Sequence, residues 1–181
     1  MHRFSTVVRI LVLALALYAL PGIRADALAD HIDLPAPASV EDAAYLGVPE
    51  GKPFHLTDIK AEAVLVEHFS MYCPHCQREA PVMNGVFERI QASPLAGRLK
   101  VVGVGVGNTA FETQFFREKY AVPFPLFPDE DFSQAKACHI TATPTYVLLR
   151  VDGKTPKVLR TIEGRMESPD MLMDILVKIM Q

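Results

Sequence analysis

Apolar residues run along this chain in two rhythms. Ala63 to Phe69, AVLVEHF, is a β-rich apolar run of the kind that is buried on both faces of a sheet. After Pro74 the spacing changes, and Met83, Val86, Phe87 and Ile90 recur at helical intervals until Ser93-Pro94 closes the helix. Pro81 falls inside that helix, where a kink is expected. Leu99 to Val106 predicts a second strand, and Thr109 to Tyr120 a helix with Phe111, Phe115, Phe116 and Tyr120 on one face. Phe124 to Phe127 predicts a short strand and Asp131 to Cys138 a short helix. Thr145 to Arg150 and Val158 to Glu163 then pair as a hairpin around Asp152-Gly153, and Ser168-Pro169-Asp170 opens a last helix that runs to Gln181. Alternating strand and helix with a final hairpin predicts an α/β fold, a mixed central sheet with helices on both faces.

The N-terminal pattern is different. Arg3 and Arg9 flank a polar start, Ile10 to Leu20 is uninterruptedly apolar, and Pro21-Gly22 precedes small-residue cleavage sites around Ala25 to Ala29. That order is expected of a signal peptide, assigned to residues 1–27. Eleven apolar residues are too few to span about 30 Å of hydrocarbon, so no membrane anchor is expected after cleavage. Residues 28–44, with a Pro/Ala stretch at Leu34 to Ala38, are expected to be a lead-in. The chain carries 18 basic and 21 acidic residues; without Arg3, Arg9, Arg24 and Asp26 it keeps 15 and 20, a charge of −5. A mildly acidic chain without a basic block argues against nucleic acid as a partner.

Chemistry concentrates in HFSMYCPHCQREAP, His68 to Pro81. Three cysteines make an odd count for an exported chain, whereas disulfide scaffolds carry an even and denser set. A zinc site built on Cys73 and Cys76 would need two more thiolates or imidazoles, and only Cys138 and scattered histidines remain. No metal and no cofactor are expected. The pair falls at a strand-to-helix junction, with Pro74 suited to the first helical position. A helix N-terminus offers free N–H groups and partial positive charge to a thiolate. Cys73 is therefore the expected nucleophile of disulfide exchange, Cys76 the shielded resolving thiol, and His75 a source of positive charge or a hydrogen bond to the Cys73 thiolate.

From roughly Tyr45 to Gln181 the chain resembles the thioredoxin superfamily, and within it the exported thiol-disulfide oxidoreductases of the TlpA/ResA kind. The resemblance rests on the strand leading into C-x-x-C, on Pro81 within the active-site helix, and on Thr143-Pro144 directly before TYVLL. CQREAP is similar to the TlpA-type C-R-x-E-x-P pattern, with Gln77 in place of the usual basic residue. EHFSMYCPHC is similar to the active site of DsbA, including the Pro-His dipeptide and a glutamate, Glu67, six residues before the first cysteine. The resemblance implies a thioredoxin-like domain at 45–181, with an extra helix and strand between Val106 and Pro144. It also implies a cis Thr143-Pro144 bond that frees the Thr143 backbone to pair with an extended substrate, and a substrate-contacting Pro74. Glu67 is the implied proton acceptor behind Cys76, its pKa raised by desolvation. The implied function is exchange with cysteines of other exported proteins, in the reducing direction, with electrons from a membrane thiol-disulfide carrier. A DsbA-like disulfide oxidase is the first alternative.

Two further readings stay open. A thiol peroxidase is suggested by VPFPLFPDEDFSQA and by Ser70-x-x-Cys73, although Val66 stands where the peroxidatic motif has proline. A Sco-like copper chaperone would use Cys73, Cys76 and a histidine as soft ligands, although such proteins space their cysteines C-x-x-x-C. Elsewhere, His68 reads as a satisfied structural histidine and Cys138 as a small buried hydrophobe, with capture of a partner or metal as the sharper possibility. Glu67 could instead be an edge-exposed glutamate, and Met71 and Tyr72 could be core or the rim of a docking surface.

Overall fold

The computed structural model describes residues 32–153 and 155–181, so the expected signal peptide lies outside the described residues. Five strands form the central sheet: β3 (Ala63–Phe69), β4 (Leu99–Val106), β5 (Leu126–Asp129), β6 (Thr145–Arg150) and β7 (Lys157–Glu163). Their order is β5-β4-β3-β6-β7. β3 runs parallel to β4 and β4 to β5, whereas β6 is antiparallel to both β3 and β7, so the sheet is mixed as expected. β3 is central and buried along its whole length, which explains its unbroken apolar run. Two strands of two residues, β1 (Asp33–Leu34) and β2 (Phe54–His55), form a separate antiparallel pair.

Two apolar clusters sandwich the sheet. On one side, α2 (Pro74–Gln91) and α5 (Pro169–Met180) bring Met83, Val86, Ile90, Leu172 and Leu176 against Leu65, Phe69, Val101 and Leu148. On the other, Leu34, Leu46, Phe54 and Leu56 from the N-terminal stretch cover Val64, Val66, Val102, Val104 and Val147. Ile32, Leu34 and Ala43, within the stretch expected as a lead-in, are thus buried. α1 (Val40–Leu46) is capped by Ser39, whose hydroxyl accepts the Asp42 N–H, and ends at Gly47 with φ +69. Buried Asp42 holds Arg117 in a two-point ion pair at 2.6 and 2.8 Å, which ties α1 to α3 (Ala110–Lys119).

Three elements depart from expectation for identifiable reasons. In α3 the Phe111/Phe115 stripe is exposed while Thr113 and Phe116 face inward, with Phe116 stacked on Phe69 at 4.5 Å. The helix meets the sheet through one stripe, and Phe111 and Phe115, four apart, share the other. β5 starts at Leu126 rather than Phe124 because Pro123 and Pro125 have no N–H for a ladder, although Phe124 is still buried in the core. α4 is only Ser133–Ala137, its N–H groups at Gln134 and Ala135 taken by the Asp129 carboxylate at 2.9 Å each. The segment between β4 and Pro144 therefore holds α3, β5 and α4. β4 keeps a glycine where packing is tightest: a Cβ at Gly103 would stand 2.4 Å from Leu126 Cδ2. Among the described residues no helix is long and apolar enough to cross a membrane.

Candidate active site

Cys73 is itself the N-cap of α2. Its Sγ accepts the Cys76 N–H at 3.4 Å, and Pro74 occupies the first turn, where a missing N–H costs nothing. All three cysteines are free thiols, with Cys73 partly exposed and Cys76 fully buried. The Cys73 thiol lies 3.3 Å from the Thr143 carbonyl, and the Thr143-Pro144 bond is cis. The two sulfurs differ in chemistry as well as in place. Burial raises the Cys73 pKa, but hydrogen bonds from the Cys76 and Thr143 side chains and from the N–H groups of Cys76 and His75 outweigh it and leave Cys73 below an ordinary thiol. Burial, reinforced by the Cys73 contact, pushes Cys76 up to about 12.

His75 sits beside the pair, but its ring turns away. Nδ1 faces Arg78 Nη2 at 3.2 Å, and what His75 lends to Cys73 is its backbone N–H. The expectation that the imidazole supports the thiolate is corrected to that extent. The physical reason is helical spacing, which puts residues 75 and 78 one above the other on the outer surface of α2.

The segment before Cys73 is held at three points, by residues whose role the sequence reading missed. Met71 N–H donates to Asn108 Oδ1 at 2.8 Å, Met71 C=O accepts from Gln77 Nε2 at 2.7 Å, and the Tyr72 hydroxyl donates to Glu112. Asn108 is fully buried for this purpose. Met71 packs on the core cluster, whereas Tyr72 is 65% exposed at the rim. No sequence signal pointed to Asn108, because the turn after β4 meets the Ser70–Tyr72 loop only in the folded chain.

Behind the pair lies a group of buried polar side chains in an apolar cluster. Glu67 is 3% exposed and shares its sheet face with Leu65 and Phe69, the face that Cys76 also packs against. Burial first, and then the nearby Glu79 charge, push its pKa up to about 8. Glu67 is thus buried in the sheet rather than exposed at its edge. Glu79 was missed as a site residue although it follows Cys76 by three, the spacing that puts two residues on one helix face. It is fully buried; Oε1 accepts the Met166 N–H at 2.7 Å, and half-exposed Arg165 approaches Oε2 at 3.4 Å. Tyr146, two residues after Pro144 and directly across from Glu67 in the β3–β6 register, completes this group.

Beside Thr143 a groove of about 420 Å³ opens between Ser70, Val106, Phe132, Lys136 and Ile140, with Lys136 the one cation in its lining. His68 and Cys138 lie on the other side of the sheet. His68 is 1% exposed with no partner for Nδ1, so it is less satisfied than expected, and burial pulls its pKa down to about 4. Cys138 caps the C-terminus of α4 and packs on the second cluster, away from Cys76. Among the described residues no three His, Cys, Asp or Glu side chains are grouped to hold a metal ion.

A mixed sheet with C-x-x-C at the head of a buried-face helix and a cis X-Pro bond against the first sulfur defines a thioredoxin-like protein. Residues 36–157 match the AhpC/TSA family, and the chain belongs to that family. It is 27% identical over 122 residues to the thiol-disulfide oxidoreductase ResA of Geobacillus thermodenitrificans, covering 67% of this chain and 66% of that one. The chain thus spans slightly less than two thirds of the length of that curated relative. Its fold is similar to dsbF of MTB, with TM-score 0.63, 24% identity, and 84% and 97% of the two chains covered. It is also similar to StoA from Bacillus subtilis, with TM-score 0.54, 23% identity, and 68% and 88% covered.

Proposed function

We propose that this protein is a thiol-disulfide oxidoreductase that reduces disulfides in other exported proteins. One observation carries the reading: two thiols three residues apart, of which the accessible one is acidified and the buried one is held protonated. In each cycle the Cys73 thiolate attacks a client disulfide and one client sulfur leaves. Cys76 then loses its proton, attacks Cys73 Sγ and releases the second client sulfur, leaving the Cys73–Cys76 disulfide. Glu67 takes the Cys76 proton. A carboxyl raised to about 8 is a far better match for a thiol than an ordinary carboxylate, because proton transfer gains as the two pKa values approach. The client chain lies extended against Thr143, paired through the free backbone there, with the groove beside it and Pro74 and Pro144 as contact surfaces.

The reducing direction is supported by His75. A ring bonded to Arg78 leaves the thiolate without the imidazole contact that would make the couple strongly oxidising, and the TlpA/ResA-like body becomes the guide to direction. Export, residues 1–27 as a signal peptide, and recharging by a membrane thiol-disulfide carrier complete the proposal. Equilibration of the couple against glutathione tests it. We expect a potential near the thioredoxin value of about −270 mV; one near the DsbA value of about −120 mV would replace the reductase with a disulfide oxidase.

A further inference from the structure

Tyr146 places a hydroxyl where an apolar side chain would fill the same volume without polar cost. It is fully buried, and as the register partner of Glu67 it stands on the same sheet face at the close spacing of cross-strand neighbours. Buried phenols normally find a partner. Here Oη has no formed hydrogen bond, and Glu79 Oε2 has only the Arg165 guanidinium, at 3.4 Å and outside hydrogen-bond geometry. One buried donor and one buried acceptor are thus left unpaired in the same group. Burial first, and then the charges of Glu67, Glu79 and Cys76, oppose ionisation of the phenol, which keeps it a neutral O–H. A phenol can donate one hydrogen bond while accepting another, the combination that two neighbouring carboxyls need between them.

We infer that the Tyr146 hydroxyl bridges Glu67 and Glu79, accepting from one carboxyl and donating to the other, so that both handle the Cys76 proton as one unit. The inference rests on the thiol-disulfide reading above. In the resolving step the Cys76 S–H bond gives its proton to this unit, and the sulfur electron pair forms the bond to Cys73 Sγ. The bond from Cys73 to the client sulfur breaks with its pair leaving on the client sulfur, which takes a proton from solvent. Arg165, half-exposed at the far end of Glu79, connects the unit to the surface. Tyr146 acts through the carboxyls and is a positioning residue.

Tyr146→Phe removes the hydroxyl and keeps the ring, so the core packing is retained while the bridge is lost, and the melting temperature should fall because two buried carboxyls lose their partner. Decay of a Cys73 mixed disulfide reads the resolving step, and attack in a Cys76→Ser background reads the first step. We expect the resolving step to slow about tenfold with the first step unchanged. Adding Glu67→Gln should slow it no further than the slower single variant, because residues acting as one unit are not additive. The infrared C=O band of the reduced protein that Glu67→Gln abolishes should move to higher frequency in Tyr146→Phe, and this readout needs no client. A band that stays in place, or a resolving rate equal to the unaltered protein's, overturns the bridge. Absent exchange in the unaltered protein together with a shifted band would instead overturn the oxidoreductase reading and leave the bridge standing.

Discussion

Glu67 and His68 are neighbours in β3, both almost completely buried, and they face opposite sides of the same sheet. Each is driven toward its neutral form by burial, the carboxyl up to about 8 and the imidazole down to about 4. The consequences differ because of what each side holds. The Glu67 side carries Cys76, Glu79 and Tyr146 at one end of an apolar cluster, so the proton it exchanges sits beside reacting groups. The His68 side is packed with valines and with the N-terminal stretch, so its neutral ring is a cost without evident chemistry. A buried titratable group acquires a task from its neighbours rather than from its shifted pKa.

Glu67→Gln should make the largest difference on the first face. Loss of the proton acceptor should slow resolution of the mixed disulfide about a hundredfold, leaving attack by Cys73 intact. It should also stabilise the fold at neutral pH. The folded pKa lies above the unfolded one, so the stability of the parent is full below about 4.5 and falls as pH rises toward 8, a loss of about 3 kcal/mol at pH 7. Urea melts of the variant should lack that fall; a parent and variant with parallel pH profiles would contradict the assignment.

On the second face the sign reverses. The folded pKa of His68 lies below the unfolded value of 6.5, so stability is present above 6.5 and is lost as pH falls toward 4, by up to about 3 kcal/mol. His68→Gln should flatten that acid limb in thermal melts while exchange activity persists. If activity fell with Glu67→Gln-like magnitude, the functional separation of the two faces would be wrong.

A smaller effect separates backbone from side chain at the head of α2. His75→Ala keeps the N–H that reaches Cys73 and should leave the pH profile of Cys73 alkylation nearly unchanged. His75→Pro deletes that N–H and should move the profile upward and the potential downward, by roughly 20 mV for each kcal/mol of thiolate support lost. Equal shifts in both variants would return the imidazole to the site. Smallest of all, Cys138→Ala should exchange at the parental rate, because this thiol lies across the sheet from Cys76.

Much of this molecule was legible in one dimension. Strand and helix periods placed β3, α2, β4 and the β6–β7 hairpin, because each depends on local rhythm, and the strand-to-helix junction assigned the two cysteines unequal surroundings before any contact was known. Cys73 and Cys76 lie within such local patterns, whereas Pro144 and Glu67 were implied by the family resemblance. What tertiary structure alone decided depends on residues far apart in sequence. Asn108 reaches Met71 across 37 positions, Met166 reaches Glu79 across 87, and Tyr146 meets Glu67 only through strand register. The N-terminal stretch reads as a lead-in from its Pro/Ala composition, and the burial of Ile32, Leu34 and Leu46 became visible only where they close the second face. His75 shows the limit in the other direction: the helix position was readable, but the rotamer was chosen by Arg78, a competition between partners that the dipeptide alone does not record.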